Sequence, residues 1–276
     1  MATVSAGWLA LREPADAAAR AIDLVAEVRQ LLPVRRPAVV HDLGCGTGSM
    51  ARWLAPQLAG PQHWVMYDRD ADLLARAALD VPPLAADGSP VTVETRQRDI
   101  TRLGQRDLTG ASLITASALL DMLTAAEVER IARSCVEAGC AALLTISVTG
   151  RITLTPSDPL DDVIASAFND HQRRGEDEGR LLGPDAVGAA ADMFATLGAD
   201  VVVAPSPWRL GASDRALATD WFRGWVGAAC EQRPELTATT HAYVEQRLAD
   251  AAAGRLRVTV HHDDLLAVPH EPPRAR

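Results

Sequence analysis

The chain has 276 residues, 48% of them hydrophobic, and a mean hydropathy of +0.01, which predicts a soluble protein large enough to bury a full core. No apolar run reaches the roughly 18 residues of a membrane span, and the N-terminus lacks the basic-then-apolar order of a signal peptide, so we expect a cytoplasmic protein without membrane partners. The net charge of -9 disfavours nucleic acid as a partner, because an acidic surface repels phosphate groups.

Near the N-terminus, the segment from Pro14 to Leu32 alternates apolar and charged residues, which predicts an amphipathic helix. An apolar strand predicted near 38–43 follows, and it runs into the sequence Gly-Cys-Gly-Thr-Gly of residues 44–48. Glycines between a strand and a helix let backbone amides approach a ligand closely, because a Cβ there would block the turn or the ligand. The dinucleotide fingerprint places its third glycine later, so this spacing argues against an NAD-dependent oxidoreductase.

Acidic residues follow the next two predicted strands. The strand near 63–67 stops at Asp68, and the strand near 91–95 leads to Asp99. An acid at the carboxyl end of the second strand can accept hydrogen bonds from both hydroxyls of a ribose. The alternative for Asp68 is to cap the following helix, a role that Asp70 could fill equally well.

Together, the glycine turn and the two acids resemble the cofactor motifs of the class I S-adenosylmethionine (SAM) dependent methyltransferases. The resemblance covers residues 37–150 well and the remainder in outline. It implies an enzyme, a doubly wound, seven-stranded Rossmann-like sheet and SAM as the cofactor, with Asp99 accepting from the adenine amino group and Ile100 packing on the adenine ring. The residues that it assigns to the cofactor are Asp42, Gly44, Cys45, Gly46, Gly48, Asp68, Arg69, Asp99, Ile100, Thr115 and Ala116.

Alternation of strands and helical segments along the chain predicts an α/β fold with an N-terminal helix and helical insertions. The strands are predicted near 38–43, 63–67, 91–95, 111–116, 140–148, 199–204 and 254–261. In the resembling fold, the last strand lies antiparallel between the fifth and the sixth. We expect a single domain over residues 1–268 and a disordered tail over 269–276. The domain is divided into a core over 37–150, a lid-like insertion over 151–184 and a helical insertion over 207–252.

The helical insertion holds three tryptophans, Trp208, Trp221 and Trp225. Trp221 and Trp225 are four residues apart, which places them on one face of a helix. Such a pair either packs in the core or forms an aromatic wall for a substrate, and the sequence leaves both alternatives open.

In the resembling family, the segment from Thr115 to Asp121, after the fourth strand, lines the methyl-donor side of the pocket. It contains neither the Asn/Asp-Pro-Pro-aromatic run that grips a planar amino group nor the Pro-Cys nucleophile of cytosine methylation. No carboxylate follows this strand directly, so we expect no metal site despite Asn169 and Asp170 downstream. What remains resembles methyltransferases that act on small molecules.

Methyl transfer to a hydroxyl or a protonated amine needs a base, and His171 is the predicted one because an imidazole titrates near neutral pH. The alternative is that His171 lies on the surface of a charged loop. His41 falls inside the first strand and is expected in the core, while His261 and His262, at the end of the last strand, are weaker rivals. Asp121 could orient the substrate or cap the following helix.

The sequence therefore predicts a cytoplasmic, metal-independent, SAM-dependent methyltransferase that acts at oxygen or nitrogen of a small molecule, as a monomer or homodimer. Methylation of RNA or of a protein side chain is the alternative among enzymes. A SAM-binding interaction subunit without catalytic activity is an alternative of a different class.

Overall fold

The structure is a computed structural model that describes residues 4–33, 35–176 and 179–270. Its strands are β1 (Ala38–Leu43), β2 (Gln62–Asp68), β3 (Val91–Gln97), β4 (Leu113–Ser117), β5 (Ala141–Thr155), β6 (Gly175–Glu176), β7 (Gly179–Arg180), β8 (Ala199–Pro205), β9 (Trp208–Leu210) and β10 (Arg257–Pro269). Its α-helices are α1 (Ala6–Ala19), α2 (Ile22–Leu31), α3 (Ser49–Leu54), α4 (Ala71–Ala77), α5 (Ala125–Ala138), α6 (Leu160–Gln172), α7 (Ala186–Thr196), α8 (Arg215–Gln232), α9 (Leu236–Thr239) and α10 (His241–Ala252). None of these helices is both long and apolar enough to cross a membrane.

Most strands join one large sheet in the order β3-β2-β1-β4-β5-β10-β8, with β9 also paired to β10. The first five strands are parallel, so that Val40 of β1 lies between Trp64 of β2 and Leu113 of β4. β10 is antiparallel to both neighbours, at the place predicted for the last strand. The predicted α/β fold is confirmed, but the sheet has eight strands rather than seven, because β9 forms within the segment 207–252 that was predicted to be helical.

Helices cover both faces of the sheet, because each strand alternates its apolar side chains between the faces. In β5, Ala141 and Leu143 belong to one apolar core, and Ala142 and Leu144 belong to another. The first core includes side chains of α2, α3 and α4, and the second includes side chains of α5 and α7. The carboxyl ends of the parallel strands meet at one edge, which is where ligands bind in open α/β sheets.

The N-terminal segment forms two helices rather than the single amphipathic helix predicted from Pro14 to Leu32. α1 contains Pro14 and ends just before Arg20. The backbone N–H of Ala21 then donates to the carboxylate of Asp264 in β10 at 2.8 Å, which fixes the break between the two helices against the sheet.

Strands β5 and β10 are longer than predicted and extend together beyond the parallel part of the sheet. β5 includes residues 151–155, which were assigned to the lid-like insertion. β10 runs from Arg257, which pairs with Thr155, to Pro269, well past the predicted end at residue 261. The first residue of the predicted tail therefore belongs to a strand, and residues 271–276 lie outside the described part of the chain.

The extended ends of β5 and β10 combine with α1, β9, α6 and α8 to α10 into a cap that has an apolar core of its own. Buried members of this core include Leu154 of β5, Phe222 of α8 and Val258 of β10. The two predicted insertions therefore fold together as one layer instead of forming a separate lid and a separate helical unit.

A buried ion pair joins two helices of the cap. Arg247 of α10 is 3% exposed and donates to both carboxylate oxygens of Asp161 in α6, at 2.7 and 2.8 Å. The hydroxyl of Tyr243 donates to the same carboxylate at 2.7 Å. Removal of the carboxylate would leave a buried guanidinium without its counter-charge, which is a large destabilising effect.

The variant Asp161→Ala is therefore expected to lower the free energy of unfolding by about 3 to 5 kcal/mol, as measured by urea denaturation followed by circular dichroism. Asp162→Ala is the matched control, because Asp162 is exposed in the same first turn of α6. The control should change the free energy of unfolding by no more than about 0.5 kcal/mol. Equal effects of the two variants would show that the buried pair does not hold the cap together.

Candidate functional site

A cavity of about 910 Å³ lies between the carboxyl ends of the parallel strands and the cap. This volume is near the upper end of the roughly 300 to 1,000 Å³ typical of small-molecule sites. We call the part lined from the sheet the cofactor side, which comprises the lining residues within 42–50, 68–73, 98–101 and 117–119. We call the rest the acceptor side, which comprises the lining residues within 4–16, 121–127, 146–152, 168–181, 208–221 and 260–262.

The predicted glycine turn forms part of the cofactor side, and its backbone requires glycine, with φ of +63° at Gly44, +54° at Gly46 and +87° at Gly48. Gly44 and Gly46 line the cavity, as does Cys45 between them. Gly48 does not line it, and a Cβ there would lie 3.3 Å from the Cα of Ala77 in α4. Gly48 therefore allows close packing of α3 against α4, and its predicted cofactor contact stays a prediction.

Asp68 lies at the end of β2, and both of its carboxylate oxygens are held by backbone amides. Oδ2 accepts from the N–H of Gly46 at 2.9 Å, and Oδ1 accepts from the N–H of Asp70 at 3.0 Å. Asp70 itself caps α4, so the cap alternative does not apply to Asp68. Each oxygen of Asp68 retains acceptor capacity for a ribose hydroxyl, and the exposed Arg69 lines the cavity beside it.

Asp99 and Ile100 line the cavity directly after β3. The Oδ1 of Asp99 accepts from the backbone N–H and the hydroxyl of Thr101, at 3.0 and 2.6 Å. The hydroxyl contact is the main reason that the pKa of Asp99 lies below its usual value, so the side chain is a charged acceptor. Both residues line the cofactor side, and their roles toward adenine stay predictions.

Asp42 lines the cavity from the end of β1, where its Oδ1 accepts from the hydroxyl of Thr115 at 2.7 Å. Burial raises the pKa of Asp42 to about 7. Thr115 and Ala116 are buried inside β4 and do not line the cavity, and their predicted cofactor contacts stay predictions. β4 continues to Ser117, so residues 117–119 line the cavity at the position where Thr115 and Ala116 were predicted.

Arg20, which the sequence did not single out, is a buried cation next to the cofactor side. It is 4% exposed, and its Nη2 donates to the hydroxyls of Ser49 and Ser117, both of which line the cavity, at 3.3 and 3.1 Å. Its Nε and Nη1 find no partner among the described residues, and an unpaired buried N–H costs about 1 to 3 kcal/mol. Arg20 itself does not line the cavity, and the fit to the predicted cofactor rests on the glycine turn and on the acceptor capacity of Asp68.

Asp121 follows β4 on the acceptor side, and its partly exposed side chain faces the cavity. Its Oδ2 accepts from the Nε2 of Gln172 in α6 at 3.4 Å. Burial raises the pKa of Asp121, and the charges of Arg12 and Arg174 oppose this rise. Thr124 caps α5, so Asp121 is not needed as the helix cap and is available as a proton acceptor.

His171 does not line the cavity, although Phe168 and Gln172 of the same helix do, and its role as the base stays a prediction. Partial burial is the main cause that lowers its pKa. His261 and His262 line the acceptor side. His262 is 3% exposed, and burial lowers its pKa to about 3, so its ring is neutral at pH 7 and a weak base.

Trp221 and Trp225, the pair predicted to lie on one helix face, differ in their surroundings: one lies in the core and the other lines the cavity. Trp225 is 1% exposed in the core of the cap and stacks on Trp221, with ring centroids 5.3 Å apart and an interplanar angle of 16°. Trp221 lines the acceptor side of the cavity, together with Trp208 and with Trp8 of α1. One ring of the predicted pair is therefore core and the other belongs to the wall.

Within the described residues, no group of three or more His, Cys, Asp or Glu side chains is arranged to hold a metal ion. Asn169 and Asp170 were considered for this role. Asn169 donates to the Gly150 carbonyl at 2.9 Å, and Asp170 accepts from the Arg233 guanidinium at 2.5 Å. Metal independence stays a prediction that activity measurements must decide.

The variant Asp68→Ala should weaken SAM binding by about ten- to a hundredfold, because a charged acceptor for two hydroxyls contributes roughly 1.5 to 3 kcal/mol. Asp72→Ala is the matched control, because it removes the same charge from an exposed position in α4 that does not line the cavity. Isothermal titration calorimetry measures both affinities. If Asp68→Ala bound SAM as tightly as the control does, Asp68 would not be the acceptor for the ribose hydroxyls.

Residues 40–138 match the sequence profile of a family described as a methyltransferase domain. No curated protein matches the chain in sequence. The YcgJ protein of Bacillus subtilis is similar in structure, with a TM-score of 0.51, 12% identity, and coverage of 91% of this chain and 100% of that one. At such identity the similarity shows the fold alone.

Two further solved structures align at lower scores. A SAM-dependent methyltransferase from Geobacter sulfurreducens, in complex with S-adenosyl-L-homocysteine, has a TM-score of 0.47 and 16% identity, and the alignment covers 98% of this chain and 100% of that one. The cyclopropane synthase MmaA2 from Mycobacterium tuberculosis has a TM-score of 0.47 and 12% identity, with 89% and 83% covered.

Proposed function

Because this chain carries a class I SAM-dependent methyltransferase domain, matched over residues 40–138, we propose that it transfers the methyl group of SAM to an oxygen or nitrogen atom of a small molecule. The predicted family, enzyme class and cofactor are confirmed. The small-molecule substrate, the cytoplasmic location, the absence of nucleic-acid and membrane partners, and a monomeric or homodimeric state belong to the proposal.

The cap over the acceptor side is the observation that supports a small substrate. Helices α1, α6 and α8 and the extended ends of β5 and β10 all contribute to its wall, and they share one apolar core. A nucleotide within RNA or a side chain within a protein would need a path for the attached polymer through this cap. A free small molecule fits beside the cofactor within about 910 Å³.

When bound, SAM would supply an electrophilic methyl group and would be released as S-adenosylhomocysteine. The backbone at Gly44 and Gly46 and the carboxylates of Asp68 and Asp99 hold the donor on the cofactor side. In the proposed reaction, the carboxylate of Asp121 takes the proton from the acceptor hydroxyl or amine as the new bond to the methyl carbon forms.

Transfer of tritium from methyl-labelled SAM tests the proposal directly. Cell extract is separated into small molecules, RNA and protein, and each fraction is incubated with the purified chain. We expect label in the small-molecule fraction alone. Label in RNA or protein would support those substrates instead, and SAM binding without label in any fraction would support an inactive binding subunit.

Activity in this assay is expected to survive excess EDTA, because proton acceptance by Asp121 and alignment of the acceptor require no Lewis acid. Initial rates are compared before and after chelation, and then after addition of excess magnesium as the control. A rate that falls with EDTA and returns with magnesium would contradict the predicted metal independence.

A further inference from the structure

Aromatic side chains concentrate on the acceptor side of the cavity. The whole chain is only 4% aromatic, yet three of its six tryptophans and Phe168 line this part of the wall, so the concentration is not explained by composition. Trp208 lies against His262 with ring centroids 5.2 Å apart, and Trp221 is supported from behind by Trp225. Trp208 is 3% exposed, because the guanidinium of Arg12 also lies over its ring, 5.0 Å from the centroid. The partly exposed ring of Trp221 presents a fixed apolar face on which another ring can pack.

The charged and titratable groups beside Trp208 are already paired or neutral, and the exposed Arg151, which also lines this side, donates to the Nδ1 of His261 at 2.7 Å. Arg12 donates to both oxygens of Asp16, at 3.0 and 3.2 Å, and the Nε1 of Trp208 donates to the same carboxylate at 2.9 Å. His262 is neutral because of its burial. An anionic ligand would have to compete with Asp16 for Arg12 and would lose its hydration, which is costly in a largely apolar chamber.

Asp121 differs from these paired groups. Among the described residues, its side-chain partner is the amide of Gln172, at the long distance of 3.4 Å, so both carboxylate oxygens keep acceptor capacity. Asp121 and the tryptophan wall line the same side of one cavity. A hydrogen-bond donor on a bound ring can therefore reach this carboxylate while the ring packs against the wall.

We infer that the acceptor side binds an uncharged, planar aromatic molecule whose hydroxyl or amino group faces Asp121; the methylation step of this inference rests on the proposed function. For a phenol, the proton passes to Asp121 and the phenolic oxygen bonds to the methyl carbon. The electron pair of the broken carbon–sulfur bond stays on sulfur, which leaves neutral S-adenosylhomocysteine and an aryl methyl ether.

Two fluorescent probes with the same ring skeleton test this inference. N-phenyl-1-naphthylamine is uncharged, and 8-anilinonaphthalene-1-sulfonate adds one sulfonate. Each is titrated into the full chain saturated with S-adenosylhomocysteine, and the rise in probe fluorescence is recorded. We expect the uncharged probe to bind at one site at least about tenfold more tightly than the sulfonate. Equal or tighter binding of the sulfonate, or no binding of the uncharged probe, would overturn the inference.

Variants of the wall locate the bound probe. Trp221→Leu removes the flat ring and should weaken the uncharged probe at least about tenfold, whereas Trp221→Phe keeps a ring and should retain most of the affinity. Trp53→Leu is the matched control, because Trp53 is half-buried and does not line the cavity. Probe affinities that are the same in Trp221→Leu and Trp53→Leu would show that the wall is not the binding surface.

The probe experiment separates this inference from the proposed function. Probe binding requires no methyl transfer, so tight and selective binding without any transfer from labelled SAM would leave the inference standing and reject the proposed function. Methyl transfer to an aliphatic or anionic acceptor, with no probe binding, would reject the inference and leave the proposed function standing.

Discussion

Replacement of Asp121 by asparagine is expected to lower the turnover number by about a hundredfold or more and to leave the SAM affinity unchanged. Asparagine keeps the size of the side chain and can still accept from Gln172, but it cannot take a proton near neutral pH. The turnover number comes from transfer of labelled methyl groups, and calorimetry gives the dissociation constant for SAM. Wild-type turnover in Asp121→Asn would contradict proton transfer to this carboxyl.

The pH dependence of the methyl-transfer rate gives a second test of Asp121. Burial raises the pKa of Asp121, so its ionised fraction falls at a higher pH than for an ordinary aspartate, whose pKa is about 3.9. Activity that needs the carboxylate is therefore lost as the pH falls through the raised value, and Asp121→Asn should lack this limb. His171→Ala, outside the cavity, is the control and should keep it. Loss of a limb between about pH 6 and 8 in His171→Ala would restore His171 as the base.

Gly46→Val is expected to abolish detectable SAM binding. The φ of +54° strains any β-branched residue by about 1 to 3 kcal/mol, and a Cβ would lie 3.0 Å from the Cδ1 of Leu9 on the cavity wall. The change would also disturb the N–H that Gly46 donates to Asp68. Micromolar affinity corresponds to about 8 kcal/mol, so a loss of several kcal/mol takes binding out of the calorimetric range.

Gly88→Val controls for backbone strain alone. Gly88 has a φ of +81° on the surface, no heavy atom lies within 4 Å of an added Cβ, and the residue does not line the cavity. Its stability should fall, as in Gly46→Val, while its SAM affinity should equal that of the unaltered chain. A folded Gly46→Val variant that bound SAM normally would show that the glycine turn does not contact the cofactor.

The sequence by itself determined the features that depend on short stretches of chain. Apolar alternation located seven strands of the sheet, and the glycine spacing with Asp68 and Asp99 at strand ends located the cofactor side of the cavity. These signals are local, because a positive φ at Gly44 or a strand that ends before an acid depends on neighbouring residues only. The antiparallel position of β10 was predicted from the family resemblance, and that resemblance rests on the same motifs.

Only the tertiary structure decided the acceptor side, because its parts come from distant segments of the chain. The pairing of Thr155 with Arg257 lengthens β5 and β10 into the cap, and no local pattern encodes a pairing across about a hundred residues. His171 and Gln172 are adjacent in sequence, yet only Gln172 lines the cavity, so the packing of α6 decides which of its side chains reach the acceptor side. Arg20 stands out only after folding, because it is burial beside Ser49 and Ser117 that distinguishes it from the other charged residues of its segment.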